Sequence, residues 1–258
     1  MYNWKNKTWF EEDDEFAPKR RVSNKGSSGL NNIIGTMYSG KMERAIQHES
    51  LGEKIFYSLL ELDILTIRYY TQPLFIDIKS IDENGNIVVW KHTPDVLVFR
   101  QGFKPHLYQI KESPEGSQSQ KNKIIDRECF KYVKYRDWNY SVIFPKLLPE
   151  NLLYNIKFLQ GYVRKRSYYD IFIPKLTSRL AVLGKISIYD FTMTFMDAEP
   201  MLILSIIYHL IATGRLKIDL YKKINKHSEI SISKDNGYLF NQLINTENIN
   251  KYEALKSK

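Results

Sequence analysis

DVLVFR at Asp95–Arg100 and HLYQIK at His106–Lys111 decide how this chain of 258 residues is read. Both runs are rich in β-branched and aromatic residues, and Gln101–Pro105 between them carries turn residues, so the pair predicts an antiparallel hairpin. With the turn centred on Phe103, the register sets Asp95 opposite Lys111 and Leu97 opposite Gln109. Asp95, Gln109 and Lys111 then share one face of the sheet. Val96, Val98, Tyr108 and Ile110 point the other way, into the core, so the polar trio is not there to fill it. A carboxylate, an amide and an ammonium on one face suit a divalent cation and a phosphate. Asp95 binds the hard cation, the Gln109 amide oxygen adds a ligand, and Lys111 orients water and stabilises phosphoryl charge.

Upstream, Ile46, Ile55, Phe56, Leu59, Leu60 and Leu62 recur at helical offsets and predict a helix from Lys41 to about Asp63. Thr66–Lys79 reads as a strand, Glu83–Asn86 as a turn and Ile87–Trp90 as a second strand. Downstream, Ser113–Gln120 is a polar loop, Lys121–Arg136 a helix and Tyr140–Phe144 a strand. Helix, strands, helix and strand in that order predict an α/β (α+β) domain with helices flanking a mixed sheet.

Two prolines, Pro145 and Pro149, mark a change of character. Beyond them the pattern predicts helices at Asn151–Arg166, around Lys175–Leu183 and at Ala198–Thr213, the last closed by Gly214. RLKIDL at Arg215–Leu220 and Ser228–Ile232 follow as short strands, an order that resembles a winged-helix module. The expected organisation is therefore a flexible arm over 1–40, an α/β domain over 41–150 and a mainly helical, winged-helix-like domain over 151–258. The arm joins an acidic run, Glu11–Glu15, to the basic, Gly/Ser-rich PKRRVSNKGSSG at Pro18–Gly29.

Apolar residues make up 43%, enough for a sizeable core, and 38 Lys+Arg against 29 Asp+Glu leave a net charge of +9. That excess favours a polyanionic partner, nucleic acid before membrane. The single cysteine, Cys129, excludes an internal disulfide and a cysteine-ligated zinc cluster. No apolar run approaches the roughly 18 residues of a membrane span, and MYNWKNKTWFEEDDEF lacks a signal-peptide core, so a cytoplasmic protein is expected. No Gly-rich phosphate loop occurs, so nucleotide hydrolysis would belong to a partner.

Thr93-Pro94-Asp95 followed by Gln109-Ile110-Lys111 resembles the PD…(D/E)xK signature of restriction-endonuclease-like nucleases, with Gln109 in place of the second acid. Glu49-Ser50-Leu51-Gly52-Glu53 and Gln72-Pro73 upstream resemble the helix-acid and QP elements of the TnsA endonuclease family, so the likeness runs from about His48 to Lys111. ATGRLKIDL in the second half is similar to that family's C-terminal domain. The resemblance implies a restriction-endonuclease-like N-terminal domain and a Mg²⁺-dependent DNA endonuclease, with Mn²⁺ able to substitute. It implies catalytic positions Glu53, Asp95, Gln109 and Lys111, with Glu53, Asp95, Gln109 and the backbone carbonyl of Ile110 as metal ligands. It also implies a place in a heteromeric bacterial transposase: cutting the non-transferred strand at the 5′ ends of a transposon, beside the integrase-like subunit TnsB and the AAA+ ATPase regulator TnsC, on double-stranded DNA at the nucleoid.

Glu49 and Glu53 lie one helical turn apart, and Glu53 is preferred because its row leads to Phe56 and Leu60. Glu128 is a candidate second-metal acid. His48 is expected at the surface, since position 52 is Gly and no H-E-x-x-H motif forms, and Cys129 is expected as a small buried apolar residue. Tyr132, Tyr135, Trp138 and Tyr140 with Lys131, Lys134 and Arg136 either flank DNA or pack in the core. The competing readings are a stand-alone restriction or repair endonuclease of the same fold, and a non-catalytic DNA-binding adaptor.

Overall fold

The structure, a computed structural model, describes residues 2–20, 34–81 and 84–233. They form two compact units. The first comprises the described residues up to Phe56 with Leu65–Leu147, and the second comprises Tyr57–Ile64 with the described residues from Leu148 onward.

The first unit opens with the helix α1 (Phe10–Glu15) and a hairpin of β1 (Gly35–Ser39) and β2 (Arg44–His48). Next come α2 (Leu51–Leu62), whose last residues belong to the second unit, β3 (Thr66–Thr71) and a second hairpin of β4 (Ile76–Ile81) and β5 (Ile87–His92). β6 (Val96–Arg100), β7 (His106–Ile110), the short α3 (Pro114–Ser117), α4 (Gln120–Tyr135) and β8 (Asn139–Ile143) complete it. The central sheet runs β3-β6-β7-β8, antiparallel except for β7 and β8, which lie parallel and are joined through α4. That is the expected mixed sheet with flanking helices. A parallel pair requires such a crossover, and a helix is its usual form.

β6 is buried along its whole length, so its two faces both pack. On one side Phe56 of α2 meets Tyr108 with ring centroids 5.0 Å apart. Phe99 is surrounded by Trp4 and Trp9, each at 5.1 Å, with Phe16 and Tyr70 beyond. Leu97 and Leu107 are fully buried, each burial stabilising by roughly 1.5–3 kcal/mol.

Five expectations about this unit are corrected. The flexible arm of 1–40 is folded where it is described: α1 is tied to β3 by Asp13, which pairs with Arg68 and accepts the Tyr70 hydroxyl at 2.8 Å, and Phe16 is buried. Most of the basic stretch, residues 21–29, lies outside the described residues. The helix expected from Lys41 begins only at Leu51. Before it, burial alternates with period two, Ile46 and His48 pointing inward along β2, and Glu43 at φ +53° turns the hairpin. His48 is therefore buried rather than exposed, and Gly35 is required opposite it, since a Cβ there would lie 2.6 Å from the imidazole.

The strand expected over Thr66–Lys79 splits into β3 and β4, in different sheets, because Gln72 adopts φ +50° and Pro73 follows. Finally, the β6–β7 register pairs Val96 with Tyr108, Leu97 with Leu107 and Val98 with His106, two residues away from the expected alignment. The turn centres on Gly102, whose φ of +87° suits glycine, rather than on Phe103. Because the slip is two residues, every side chain keeps its expected face, but Asp95 comes level with Gln109 instead of Lys111.

The second unit contains α5 (Glu150–Gln160), α6 (Tyr169–Leu183), β9 (Ile186–Ser187), α7 (Ile188–Met193), α8 (Pro200–Ala212), β10 (Leu216–Lys217) and β11 (Glu229–Ile232). Its sheet has three strands in the order β10-β11-β9, all antiparallel, where two were expected. β9 and α7 were not foreseen, being too short for a periodic signal; Ser187 caps α7 by accepting from the Asp190 N–H at 3.0 Å. RLKIDL supplies only two strand residues, but Leu216, Ile218 and Leu220 are all buried. Ile203, Ile206, Ile207, Leu210 and Ile211 of α8 are fully buried, so this face of α8 and the apolar side chains of RLKIDL fill the core, while Met201 at the start of α8 is exposed. Buried Asn155 donates from Nδ2 to the carbonyls of Leu220 and Lys222, both at 2.8 Å, and accepts from the Ile224 N–H at 3.1 Å, which satisfies its amide.

Candidate active site

Asp95 stands just before β6. Its carbonyl accepts the N–H of Gln72 at 2.8 Å, so the left-handed Gln72 that ends β3 also fixes where Asp95 lies. The Asp95 carboxylate takes two hydrogen bonds on one oxygen, Oδ2: from Gln109 Nε2 at 2.5 Å and from the Ile110 N–H at 2.5 Å. Gln109 is buried on β7, and its Oε1 meets Nε2 of His92, the last residue of β5, at 2.8 Å. The amide thus bridges Asp95 and His92.

Lys111 follows β7 and is anchored at both ends: its N–H donates to the Ile143 carbonyl at 2.9 Å, and its Nζ donates to Oδ1 of Asn122 on α4 at 3.3 Å. Glu53 lies in the first turn of α2. Ser50 Oγ accepts from the Glu53 N–H at 3.1 Å, while Glu53 Oε2 accepts from the Glu49 N–H at 2.8 Å. Ser50 thus caps the Glu53 N–H at the helix start, and Glu53 reaches back one residue beyond Ser50, to the N–H of Glu49. Glu53 is buried, whereas Glu49 precedes the helix and pairs with Arg20.

Desolvation dominates the electrostatics. Burial, and then the charge of Glu53, pushes the Asp95 carboxyl up to about 7, against the pull of the Ile110 N–H, Lys111 and Arg20. Burial likewise raises Glu53, opposed first by the Glu49 N–H. Burial lowers His92, opposed by its bond to Gln109. Burial and the nearby charge of Glu53 make Asp95 costly to ionise, and a divalent cation between the two carboxylates would relieve that cost. The fit of such an ion has a condition: as placed, Gln109 turns its NH₂ end toward Asp95, and Ile110 meets Asp95 through its N–H. Among the described residues no group of three or more His, Cys, Asp and Glu side chains is placed to hold a metal, and Glu53 with Asp95 makes two.

Glu53, Asp95, Gln109, Ile110 and Lys111 all belong to the first unit, Asp95 joined directly to Gln109 and Ile110 and electrostatically to Glu53 and Lys111. Glu128 is not among them: it pairs with Arg127 at 2.9 Å and Lys131 at 2.8 Å on the outer side of α4. The acid that α4 turns inward is buried Asp126, which accepts the Tyr140 hydroxyl at 2.7 Å. The aromatic cluster divides. Tyr140 is held by Asp126, Trp138 packs on Phe16 and Tyr132, and Tyr135 is exposed. Sequence reasoning missed His92, Asn122, Asp126 and Arg20. The signal for Asn122 and Asp126 was their spacing of one turn from each other and of roughly two turns from Asn122 to Cys129, which places all three on one helix face. Arg20 lay in the basic stretch, and His92 carried no signal beyond its place near Asp95. No protein-family model matches the chain, and a search of curated proteins finds no match.

Proposed function

We propose that the first unit is a metal-dependent DNA endonuclease that hydrolyses a phosphodiester to 5′-phosphate and 3′-hydroxyl ends. The observation that carries this reading is the meeting of Asp95, Gln109, Glu53 and Lys111 at one end of a mixed sheet. The chain order α2, β3, β6, β7, α4, β8 around that sheet supports a restriction-endonuclease-like fold, with the β4–β5 hairpin as an insertion. Glu53, Asp95 and the Gln109 amide oxygen would hold Mg²⁺, or Mn²⁺ in its place. When bound, such an ion polarises the phosphate and makes water more acidic. Lys111, steadied by Asn122, orients the attacking water and offsets charge on the phosphoryl oxygens. Asp95 and Glu53 keep their places through Ile110, Gln109 and Ser50.

The biological role proposed is that of a TnsA-like subunit, cutting the non-transferred strand at the 5′ ends of a transposon with TnsB and TnsC as partners in the cytoplasm. The second unit supports a winged-helix reading through the order α6, β9, α7, α8, β10, β11 and the sheet order β10-β11-β9. A DNA-reading helix in such a module presents polar and basic side chains to the groove, and α8 has no Lys or Arg. Partner contact is thus the better use of this unit, through exposed Val182, Met196 and Met201 rather than the buried face of α8.

The test is to incubate DNA bearing the element ends, with Mg²⁺, with this chain alone and with its integrase-like partner added. Little cutting by the chain alone and cutting at the ends with the partner is expected. Specific double-strand cutting by the chain alone would favour the restriction-enzyme reading, and no cutting in either arm would remove the nuclease.

A further inference from the structure

His92 is placed to control the third ligand. An amide has one accepting and one donating end, and Gln109 sits between a carboxyl that, once ionised, accepts only and an imidazole that can do either. With the NH₂ on Asp95 and Oε1 on His92, His92 must donate from Nε2. In that state Gln109 caps Asp95 with a donor, the wrong end for a cation. Turning the amide by half a rotation brings Oε1 to Asp95 and NH₂ to His92, and the new bond forms only if His92 accepts at Nε2, with its proton on Nδ1. The turned amide keeps its hydrogen bond to His92 but sets Oε1 against the Asp95 carboxylate, oxygen against oxygen, so that state is satisfied only when a cation lies between them.

We propose that His92 is a positioning residue that lets Gln109 exchange a carboxylate-capping orientation for a metal-ligating one, by changing which ring nitrogen carries its proton. This rests on the nuclease reading above. No proton is gained or lost from the site: the imidazole is neutral in both states, and a bound divalent ion supplies the bias by attracting the amide oxygen. Residues behind metal ligands typically govern affinity by 10- to 100-fold.

The experiment is a double-mutant cycle read by calorimetric titration of the full chain with Mn²⁺, without DNA, alongside thermal melting. His92→Phe keeps a ring and removes both nitrogens. It is expected to weaken Mn²⁺ binding by about tenfold. In the Gln109→Glu background no amide orientation remains to be chosen, so adding His92→Phe should change affinity less than about twofold, an agreement that general damage to the fold would not give. His92→Gln, which both donates and accepts, should recover most of the affinity. Wild-type binding by His92→Phe, or the same loss in both backgrounds, overturns the inference. Asp95→Ala separates it from the parent reading: if His92→Phe binds normally and Asp95→Ala does not, only the role of His92 falls, whereas a wild-type chain that binds no Mn²⁺ overturns both.

Discussion

Two side chains carry opposite predictions. Lys111→Ala should abolish strand cleavage by the assembled reaction while leaving Mn²⁺ affinity within a few-fold of wild type, because an ammonium acts on water and phosphate and is no ligand. Asp95→Ala should lose both. Cleavage at the wild-type rate by Lys111→Ala would end the assignment of Lys111. Asp95 also makes a stability prediction for the metal-free protein. Its folded carboxyl holds a proton up to about pH 7, whereas an unfolded Asp releases it near about 3.9. Folding therefore takes up a proton between those values, and the stabilisation is complete below about pH 4 and lost as pH rises through 7. Urea unfolding in EDTA at pH 5 and pH 8 should show wild type losing roughly a few kcal/mol more than Asp95→Asn across that interval. Equal losses would place the Asp95 carboxylate in a far wetter setting.

At the start of α2, Ser50→Ala removes the side-chain cap on the Glu53 N–H and should cost about 1 kcal/mol in chemical denaturation. Leu107→Ala, which removes a fully buried side chain of β7, should cost about 2–5 kcal/mol. Elements of this kind explain what sequence could and could not reveal. β6, β7, α4 and β8 were legible because each has one clear periodicity. β1 and β2 were not, since Ile46 lies two heptads before Leu60 and so fits a helical face as well as a strand alternation, and only packing across the hairpin, His48 against Gly35, chooses between them. Of the candidate site residues, Asp95, Gln109 and Lys111 were grouped by their spacing and Glu53 by the resemblance, and a two-residue register slip left the shared face of the first three intact. The bridge from His92 through Gln109 to Asp95 was not legible, because it joins the end of one hairpin to another sheet, and neither periodicity nor propensity reports such a contact.

Across the chain, the net charge of +9 predicts weak duplex binding without sequence preference. The dissociation constant should rise at least about tenfold between 50 and 200 mM salt; a flat response would mean that phosphate contacts do not drive binding. Ca²⁺ in place of Mg²⁺ should permit DNA binding in the assembled reaction but suppress cutting, since its looser coordination positions water poorly, and equal rates with both ions would exclude the metal mechanism. Cys129, the single cysteine, is fully buried in α4, and burial pushes its thiol up to about 12. At neutral pH it offers almost no thiolate to an alkylating reagent. The native chain thus behaves toward maleimides as though it were cysteine-free, and a cysteine introduced at exposed Tyr135 would take a fluorophore alone, giving a single-colour reporter without first engineering Cys129 away.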